Sequence, residues 1–263
     1  MDKEITKKLE DGIKTTLTSD NYARYLSFMN TFHEYSFNNC MLIWLQCPEA
    51  TLVAGYKAWQ NKKRQVKKGE KGIKILAPCP KKFTTKKTNE DGKEEEKEVE
   101  YVDFRTVSVF DVSQTEGEPI PELAHQLNKD VSNFKDLFSK LEAVSPVPIS
   151  FNDIDTNGVF SSTNNCITIK NGLSEEQTIK TTIHEIAHAI LHNPDGEEKE
   201  ADRRTKEVQA ESIAYIVCDY LGIDSSDYSF GYIAGWCNGD LKLVSQNMEV
   251  IRKTANTIKE AIA

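Results

Sequence analysis

The sequence lacks an apolar run long enough to span a bilayer, which takes about 20 consecutive apolar residues. Its N-terminus, Met1-Asp2-Lys3-Glu4, is not followed by the hydrophobic segment of a secretory signal peptide. The chain also contains no GxGxxG motif, no phosphate-binding loop and no internal repeat. These absences argue against a membrane-spanning or secreted protein, and we expect a cytoplasmic protein that has no membrane partner.

Cysteine is present, but not in a pattern that binds metals or forms a redox pair. The chain has six cysteines and no C-x-x-C pair. Several lie in apolar surroundings, which favours reduced, buried thiols in a cytosolic protein. We therefore do not expect them to bind a metal; they are Cys40, Cys47, Cys79, Cys166, Cys218 and Cys237.

The charge of the chain is unevenly distributed. The protein has 33 basic and 41 acidic residues, for a net charge of −8. Between Lys57 and Lys87, however, there are twelve basic residues and a single acid, Glu70. A basic stretch on an acidic protein indicates a local binding surface for a polyanion.

Histidine is scarce, yet two of the five histidines form an H-E-x-x-H motif within the stretch IHEIAHAILH, residues 183–192. Apolar residues recur around the motif every three or four positions, which predicts a helix. On a helix, His184 and His188 lie one turn apart on the same face, so both imidazoles can bind one metal ion. Glu185 points about 100° away, where a base can take a proton from water. The pattern favours Zn2+, with another divalent metal as an alternative, over two solvated or core histidines.

A tetrahedral site requires a third protein ligand, and the next predicted helix offers two carboxylates. Glu207 falls inside the apolar face of that helix, whereas Glu211 lies towards its polar edge. A carboxylate on an apolar face is costly unless it has a partner, and a metal is such a partner. We therefore predict Glu207 as the third ligand and Glu211 as the group that orients a ligand histidine, with Glu211 as the alternate ligand.

The order of the predicted elements indicates an α+β fold with two domains. Helices are predicted in the first 45 residues, followed by paired strands at 73–77 and 101–110 with a charged hairpin excursion at 81–100. A proline-bearing polar segment at 115–123 is the predicted linker between an N-terminal domain, residues 1–114, and a C-terminal domain, residues 124–263. In the second domain, the strand at 166–170 precedes the metal-binding helix and is a candidate edge for an extended peptide. Two further helices are predicted from Tyr228 onward.

The basic stretch also contains aromatic residues. Lysines alternate with Tyr56 and Trp59 and are followed by Phe83, so positive charge lies beside rings that can stack on bases. This combination indicates single-stranded DNA, although lysine-rich hairpins are often only solvated edges. The candidate DNA-binding residues are Tyr56, Lys57, Trp59, Lys62, Lys63, Arg64, Lys67, Lys68, Lys71 and Lys74.

Several separate motifs resemble those of ArdC-type antirestriction proteins, in the same order along the chain. They are YSFNNCMLIWLQCPEATLVAGYKAWQNKKRQVKKGEKGIKILAPC, then FRTVSVFDVSQTEGEPIP, HEIAHAILH, the Glu207–Glu211 pair and YIAGW at 232–236. The resemblance covers most of the 263 residues. It implies an N-terminal single-stranded-DNA-binding domain and a C-terminal zincin-like metallopeptidase domain. Such proteins are carried by plasmids and other mobile elements and help incoming DNA to escape restriction.

The metal motif is itself similar to that of zincin metallopeptidases with a glutamate as third ligand. In that branch an Asp or Asn commonly follows the ligand by four residues and contacts a histidine; here that position is Glu211. Many ArdC relatives carry a histidine before the Tyr-Ile-x-x-Trp stretch, where this chain has Ser229-Phe230-Gly231. Without it, either Tyr215, Tyr228 or His192 stabilises an oxyanion, or no residue does.

Three functional hypotheses follow from the sequence. The first is an antirestriction-type protein of a mobile element that binds single-stranded DNA and cleaves a protein or peptide substrate with a zinc-dependent H-E-x-x-H site. The second is a non-catalytic protein that coats single-stranded DNA and has a structural metal site. The third is a regulatory protease that cleaves a repressor.

Overall fold

The structure, a computed structural model, describes residues 3–17, 21–32, 34–88, 94–120, 134–223 and 241–263. It confirms the predicted α+β architecture with two units. One unit comprises residues 1–12 and 38–119, and the other comprises residues 13–37 and 120–263. Within the described part of the chain, no helix is both long and apolar enough to cross a membrane.

The division between the units differs from the predicted boundaries in two places. Residues 115–117 form a strand that pairs within the first unit, so the predicted linker is partly structured and the chain leaves that unit after Pro119. Residues 13–37, predicted to be N-terminal, group with the second unit. The physical reason is the buried aromatic face of the helix at Asn21–Thr31. Its Tyr22 side chain is buried, and the Tyr22 hydroxyl lies 2.9 Å from the hydroxyl of Ser212, which belongs to the second unit.

The first unit is built on a long antiparallel hairpin. Its sheet has the strand order β1-β4-β3, and the pairing begins with Ile73 opposite Val109 and continues to Thr88 opposite Glu94. The predicted pairing of these strands is therefore confirmed, and the strands continue into the charged excursion. Its predicted tip, Asp91-Gly92, lies outside the described residues. The elements in chain order are α1 (Lys3–Leu17, whose last residues belong to the other unit), α3 (Phe37–Gln46), β1 (Val53–Gly55), α4 (Tyr56–Asn61), β2 (Arg64–Val66), β3 (Ile73–Thr88), β4 (Glu94–Asp111), a 3-10 turn (Val112–Gln114) and β5 (Thr115–Gly117).

Two side-chain amides of α3 pair with the backbone at two positions on the outer edge of β3. Asn39 donates to the Leu76 carbonyl and accepts from the Leu76 amide, both at 2.8 Å. Gln46 makes the same pair of bonds to the backbone of Lys74, at 2.9 and 3.0 Å. Because an unpaired strand edge is a template for unwanted pairing, these amides both fix the hairpin on α3 and protect its edge.

A buried carboxylate fixes the end of the hairpin. Asp111 is 1% exposed, and it accepts hydrogen bonds from the backbone amides of Thr51, Leu52 and Ser113 at 2.9–3.1 Å. Burial by itself raises the pKa of the Asp111 carboxyl, but these hydrogen bonds outweigh burial and lower it. The carboxylate therefore joins the loop before β1 to the turn after β4.

We expect Asp111→Ala to lower the free energy of unfolding of the first unit by about 1–3 kcal/mol, because three backbone donors lose their acceptor. Asp111→Asn keeps one oxygen and should cost less. Since the folded-state pKa is lowered, the stabilisation is present at neutral pH and is lost as the pH falls through that value. Hydrogen exchange at the Thr51, Leu52 and Ser113 amides measures the effect; unchanged protection in the alanine variant would contradict it.

The second unit packs a small sheet against one long helix, which packs in turn against a second long helix. Its elements are α2 (Asn21–Thr31), α5 (Phe134–Val144), β6 (Ile149–Asn152), β7 (Gly158–Ser161), β8 (Cys166–Lys170), α6 (Glu175–Leu191), α7 (Arg203–Leu221) and α8 (Leu241–Ile262). The predicted strand at 166–170 is present as β8, and α8 corresponds to the last of the two predicted terminal helices. The residues between 224 and 240 lie outside the described part of the chain.

The sheet of the second unit has the order β6-β8-β7, with β8 parallel to β6 and antiparallel to β7. Ile167 and Ile169 of β8 are fully buried. The prediction of residues 166–170 as a peptide-accepting edge is therefore wrong, because β8 has partners on both sides. The edge strand beside α6 is β7.

Candidate functional site

The H-E-x-x-H motif lies in the last two turns of α6, as predicted. The helix begins after Ser174, whose hydroxyl accepts a hydrogen bond from the Gln177 amide. One face of α6 is fully buried, through Ile179, Ile183, Ile186 and Ala187. This buried face holds the helix in the unit and leaves His184 and His188 half-buried at its side.

Three donor atoms converge between α6 and α7. The Nε2 atoms of His184 and His188 lie 3.1 Å apart, and Oε2 of Glu207 lies 3.7 Å from each of them. A tetrahedral zinc with bonds of about 2.0–2.1 Å has its ligand atoms about 3.3 Å apart. The three atoms thus have the spacing that a single tetrahedral cation requires.

The charges at this cluster depend on burial and on neighbouring carboxylates. Burial by itself lowers the pKa of His184, but contact with Glu207 and the charges of Glu185, Glu207 and Glu211 raise it overall. Burial, together with the charges of His184 and His192, lowers the pKa of His188 to about 4. Contact with His184 lowers the pKa of the Glu207 carboxyl. At neutral pH the cluster therefore combines a neutral imidazole at His188 with a carboxylate at Glu207, both suitable metal ligands.

Glu185 lines a cavity of about 320 Å³ together with His184, one of the three donors. The side chain is 8% exposed, and burial raises the pKa of its carboxyl. The backbone amide of Phe160 on β7 donates a hydrogen bond to it. A buried carboxylate with a raised pKa beside a candidate metal-binding cluster can act as a general base. The cavity is lined by Asn157, Gly158, Gln177, Lys180, Thr181, His184, Glu185 and Glu211.

Glu211, the alternate ligand from the sequence, lines this cavity beside His184. Its charge contributes to the raised pKa of His184. The cluster of three donors contains Glu207 instead. The orienting role of Glu211 stays a prediction.

The structure also places the residues considered for oxyanion stabilisation. His192 is 8% exposed, and its two ring nitrogens contact His188 and Gln209. The Tyr215 hydroxyl lies 3.1 Å from the Ser27 hydroxyl. Tyr228 lies outside the described residues. His192 therefore contacts His188, one of the three candidate donors, and sequence reasoning did not identify this contact.

Gly158 allows β7 to pack closely against α6. A Cβ atom at this position would lie 2.4 Å from Thr181 Cγ2 and 3.0 Å from Glu185 Cγ. We expect Gly158→Ala to lower the free energy of unfolding by about 1–3 kcal/mol, because the added methyl group forces the strand and helix apart. Gly55→Ala, where a Cβ would meet open space, is the control. Equal denaturation curves for the two variants would contradict the close packing.

In the first unit, the structure changes the interpretation of two predicted DNA-binding residues. Trp59 is fully buried, and its indole Nε1 donates to the Phe110 carbonyl at 2.9 Å. The prediction that this ring stacks on bases is wrong for this structure, because the ring belongs to the core. The Arg64 guanidinium makes three hydrogen bonds, to the Thr115 hydroxyl and to the carbonyls of Thr115 and Glu118. Arg64 thus helps to hold β2 against β5.

The predicted lysines are exposed, but they differ in their contacts. Three of them have partners: Lys63 pairs with Glu118, Lys67 donates to the Ser113 carbonyl, and Lys74 donates to the Ser108 hydroxyl. The others have no side-chain hydrogen bond or ion pair within the described ranges. These are Lys57, Lys62, Lys68 and Lys71.

Exposed rings are found elsewhere on the first unit. Tyr56 is 44% exposed and packs edge-on against Phe110, with ring centroids 6.4 Å apart. Phe104 on β4 is 46% exposed. Phe104 and Phe110 lie on one face of β4, and Lys74, opposite Ser108, shares that face. Sequence reasoning identified Tyr56 but missed Phe104 and Phe110, although alternation along β4 could have indicated them. The Phe83 side chain lies outside the described residues.

Comparison with protein families agrees with this organisation. Residues 1–110 match the N-terminal domain of the anti-restriction factor ArdC. Residues 146–218 match the IrrE N-terminal-like domain of the M78 peptidases. The chain therefore combines an ArdC-type N-terminal domain with an M78 peptidase-like domain, and the resemblance to ArdC-type antirestriction proteins is confirmed.

Individual relatives point the same way. The chain is 28% identical to an uncharacterized protein of Bacillus anthracis, pXO2-81, over 99% of this chain and 52% of the relative, so it spans about half of that protein's length. It also resembles the crystal structures of the antirestriction protein ArdC from plasmid R388. The Mn(II)-bound form has a TM-score of 0.63 and 18% identity, over 98% of this chain and 97% of ArdC. The metal-free form has a TM-score of 0.57 and 22% identity, over 87% and 85%. At 22% and 18% sequence identity, this structural similarity shows that the chain shares the fold of ArdC.

Proposed function

We propose that this protein is an antirestriction-type protein of a mobile element that binds single-stranded DNA through its first unit and hydrolyses a peptide bond at a divalent-metal site in its second unit. The observation that carries the catalytic part is the convergence of His184, His188 and Glu207. The ArdC-type and M78 peptidase-like domains support the combination of the two activities in one chain.

The donor set fits a divalent cation. Two imidazole nitrogens and one carboxylate oxygen are the ligands of many catalytic zinc sites, which keep a further position for solvent or substrate. The solved ArdC structure is described as Mn(II)-bound, so we propose Zn2+ or another divalent metal here. When bound, such an ion would act as a Lewis acid that polarises a carbonyl group and makes water more acidic.

The residues around the donors would perform the remaining steps. Glu185 would accept the proton of the attacking water at its carboxylate and pass it to the leaving amine. The raised pKa of this carboxyl suits both roles. Edge strand β7 offers main-chain hydrogen bonds to an extended peptide, which would lie along the cavity that Glu185 faces.

The DNA-binding part of the proposal is supported by charge and exposed rings together. The unpaired lysines at positions 57, 62, 68 and 71 offer charge for phosphates. Tyr56 and Phe104 offer exposed rings for bases, and such stacks are worth about 1–3 kcal/mol each. Lys74 adds a cation on the same face as Phe104. Single strands suit this surface because their bases are free to stack.

Metal analysis of the purified protein, followed by titration with Zn2+ and Mn2+, tests the site. We expect one ion per chain in the wild type and none in His188→Ala. A wild type that binds no divalent ion would overturn the catalytic part of the proposal. A protein that binds a metal and single-stranded DNA but cleaves neither casein nor a peptide library would favour the non-catalytic DNA-coating alternative. Cleavage confined to one repressor would favour the regulatory protease.

A further inference from the structure

A line of side-chain hydrogen bonds runs from the metal-binding cluster across three helices. Nδ1 of His188 lies 2.9 Å from Nδ1 of His192, and Nε2 of His192 lies 2.8 Å from Oε1 of Gln209. The Gln209 amide nitrogen in turn donates to Asn247 at 2.7 Å and to Glu198 at 3.3 Å. His192 and Gln209 are buried, Gln209 completely. The line thus joins α6, α7 and α8, and a loop carboxylate ends one of its branches.

Glu198 determines the direction of the hydrogen bonds. An ionised carboxylate can only accept, so the amide nitrogen of Gln209 must face Glu198 and its oxygen must face His192. That oxygen can only accept as well, so the proton of His192 lies on Nε2. A neutral His192 then has its lone pair on Nδ1, and the facing Nδ1 of His188 must be the donor. This leaves the lone pair of His188 on Nε2.

The opposite end of the line gives the same assignment independently. A histidine that binds a metal through Nε2 carries its proton on Nδ1, and that proton needs an acceptor. The acceptor is Nδ1 of His192. Because this nitrogen accepts, the proton of His192 must lie on Nε2, and that proton needs an acceptor in turn. Gln209 Oε1 is that acceptor. The argument from Glu198 and the argument from the metal-binding nitrogen of His188 therefore place the protons of His188 and His192 on the same ring nitrogens.

We propose that His192 and Gln209 are positioning residues that hold His188 in the Nδ1–H tautomer and thereby determine the metal affinity of the site. The expected effect on metal affinity rests on the proposed metal site, whereas the tautomers of His188 and His192 do not depend on it. It differs from the sequence prediction, in which Glu211 orients a ligand histidine. Here a neutral His–Gln pair takes that role for His188.

The tautomers can be measured directly in the metal-free protein. Long-range proton–nitrogen correlation spectra of protein labelled with ¹⁵N-histidine contain signals from five residues. We expect His188 protonated on Nδ1 and His192 protonated on Nε2. Protonation of His188 on Nε2 would overturn the proposal whether or not the protein binds a metal. If the protein has the expected tautomers but does not bind Zn2+, this result would instead contradict only the proposed function.

The consequence for affinity is tested by Gln209→Leu, which removes the acceptor for His192. We expect the tautomer preference of His188 to be lost and Zn2+ to bind about 10- to 100-fold more weakly, the usual effect of removing such a partner. Ser212→Ala, which removes another buried hydrogen bond on α7, is the matched control and should bind Zn2+ like the wild type. An equal loss in both variants, or none in Gln209→Leu, would overturn the proposal.

A charge-swapped pair distinguishes the hydrogen bond from simple packing. In Gln209→Glu combined with Glu198→Gln, an acceptor still faces His192 and a donor faces position 209 from the loop, while the Asn247 amide has to turn so that its nitrogen donates to position 209. We expect this double variant to recover the wild-type tautomers and Zn2+ affinity to within a few-fold. Affinity as low as that of Gln209→Leu, in a folded protein, would overturn the proposal.

Discussion

Replacing Glu185 by glutamine is expected to leave divalent-metal affinity within a few-fold of wild type and to lower peptide hydrolysis about 10²- to 10⁴-fold, the usual contribution of a general base. Glutamine has nearly the same shape, and its carbonyl oxygen can still accept the hydrogen bond from the Phe160 amide. It cannot accept a proton from water. Zinc titration and cleavage of casein and a fluorogenic peptide library measure the two effects.

The informative control is Glu211→Gln. Glu211 lines the same cavity, and its charge acts on His184 as that of Glu185 does. If Glu185 acts only through its charge, the two variants should lose comparable activity. If it transfers a proton, Glu185→Gln alone should lose several orders of magnitude. Full hydrolysis by Glu185→Gln would contradict the assigned role.

The candidate metal site could be predicted largely from the sequence because its parts are local. His184 and His188 are one helical turn apart, so the motif and the helical periodicity together fix their relative geometry. Glu207 was predicted because a carboxylate on an apolar face needs a partner, but in the structure its side chain is 52% exposed, so burial does not explain its place beside the histidines. The structure brings all three donors together, which the helical pattern alone could not establish, since the packing of α6 on α7 is a tertiary property.

Other features depend on contacts between distant residues, which the sequence does not show. The partners His192 and Gln209 are 17 positions apart, and no motif links them. The edge position of β7 depends on the order of strands in the sheet, and chain order wrongly favoured β8. Trp59 was interpreted as a stacking ring because it stands among lysines, but its indole is buried in the core and donates to the Phe110 carbonyl. Neighbours in sequence were thus a poor guide to burial.

The second large effect is expected for DNA binding in the triple variant Lys62→Glu, Lys68→Glu and Lys71→Glu. These lysines are exposed, and in the described part of the chain their ammonium groups have no protein partner to lose. If each phosphate contact contributes about 1 kcal/mol, the loss of three weakens single-stranded DNA binding roughly 100-fold at low salt. Fluorescence titration with a labelled oligonucleotide measures the affinity.

The salt dependence separates phosphate contacts from a general effect of charge. On single strands each contact contributes about 0.7 to the slope of log affinity against log salt, so the triple variant should lose roughly 2 from the wild-type slope. Lys7→Glu, Lys8→Glu and Lys14→Glu change the net charge equally at exposed positions on α1 and should leave the slope nearly unchanged. Equal slopes in the wild type and both triple variants would place the DNA on another surface. A smaller slope only in the variant at positions 62, 68 and 71 would locate the DNA beside the turns at 62–63 and 67–72.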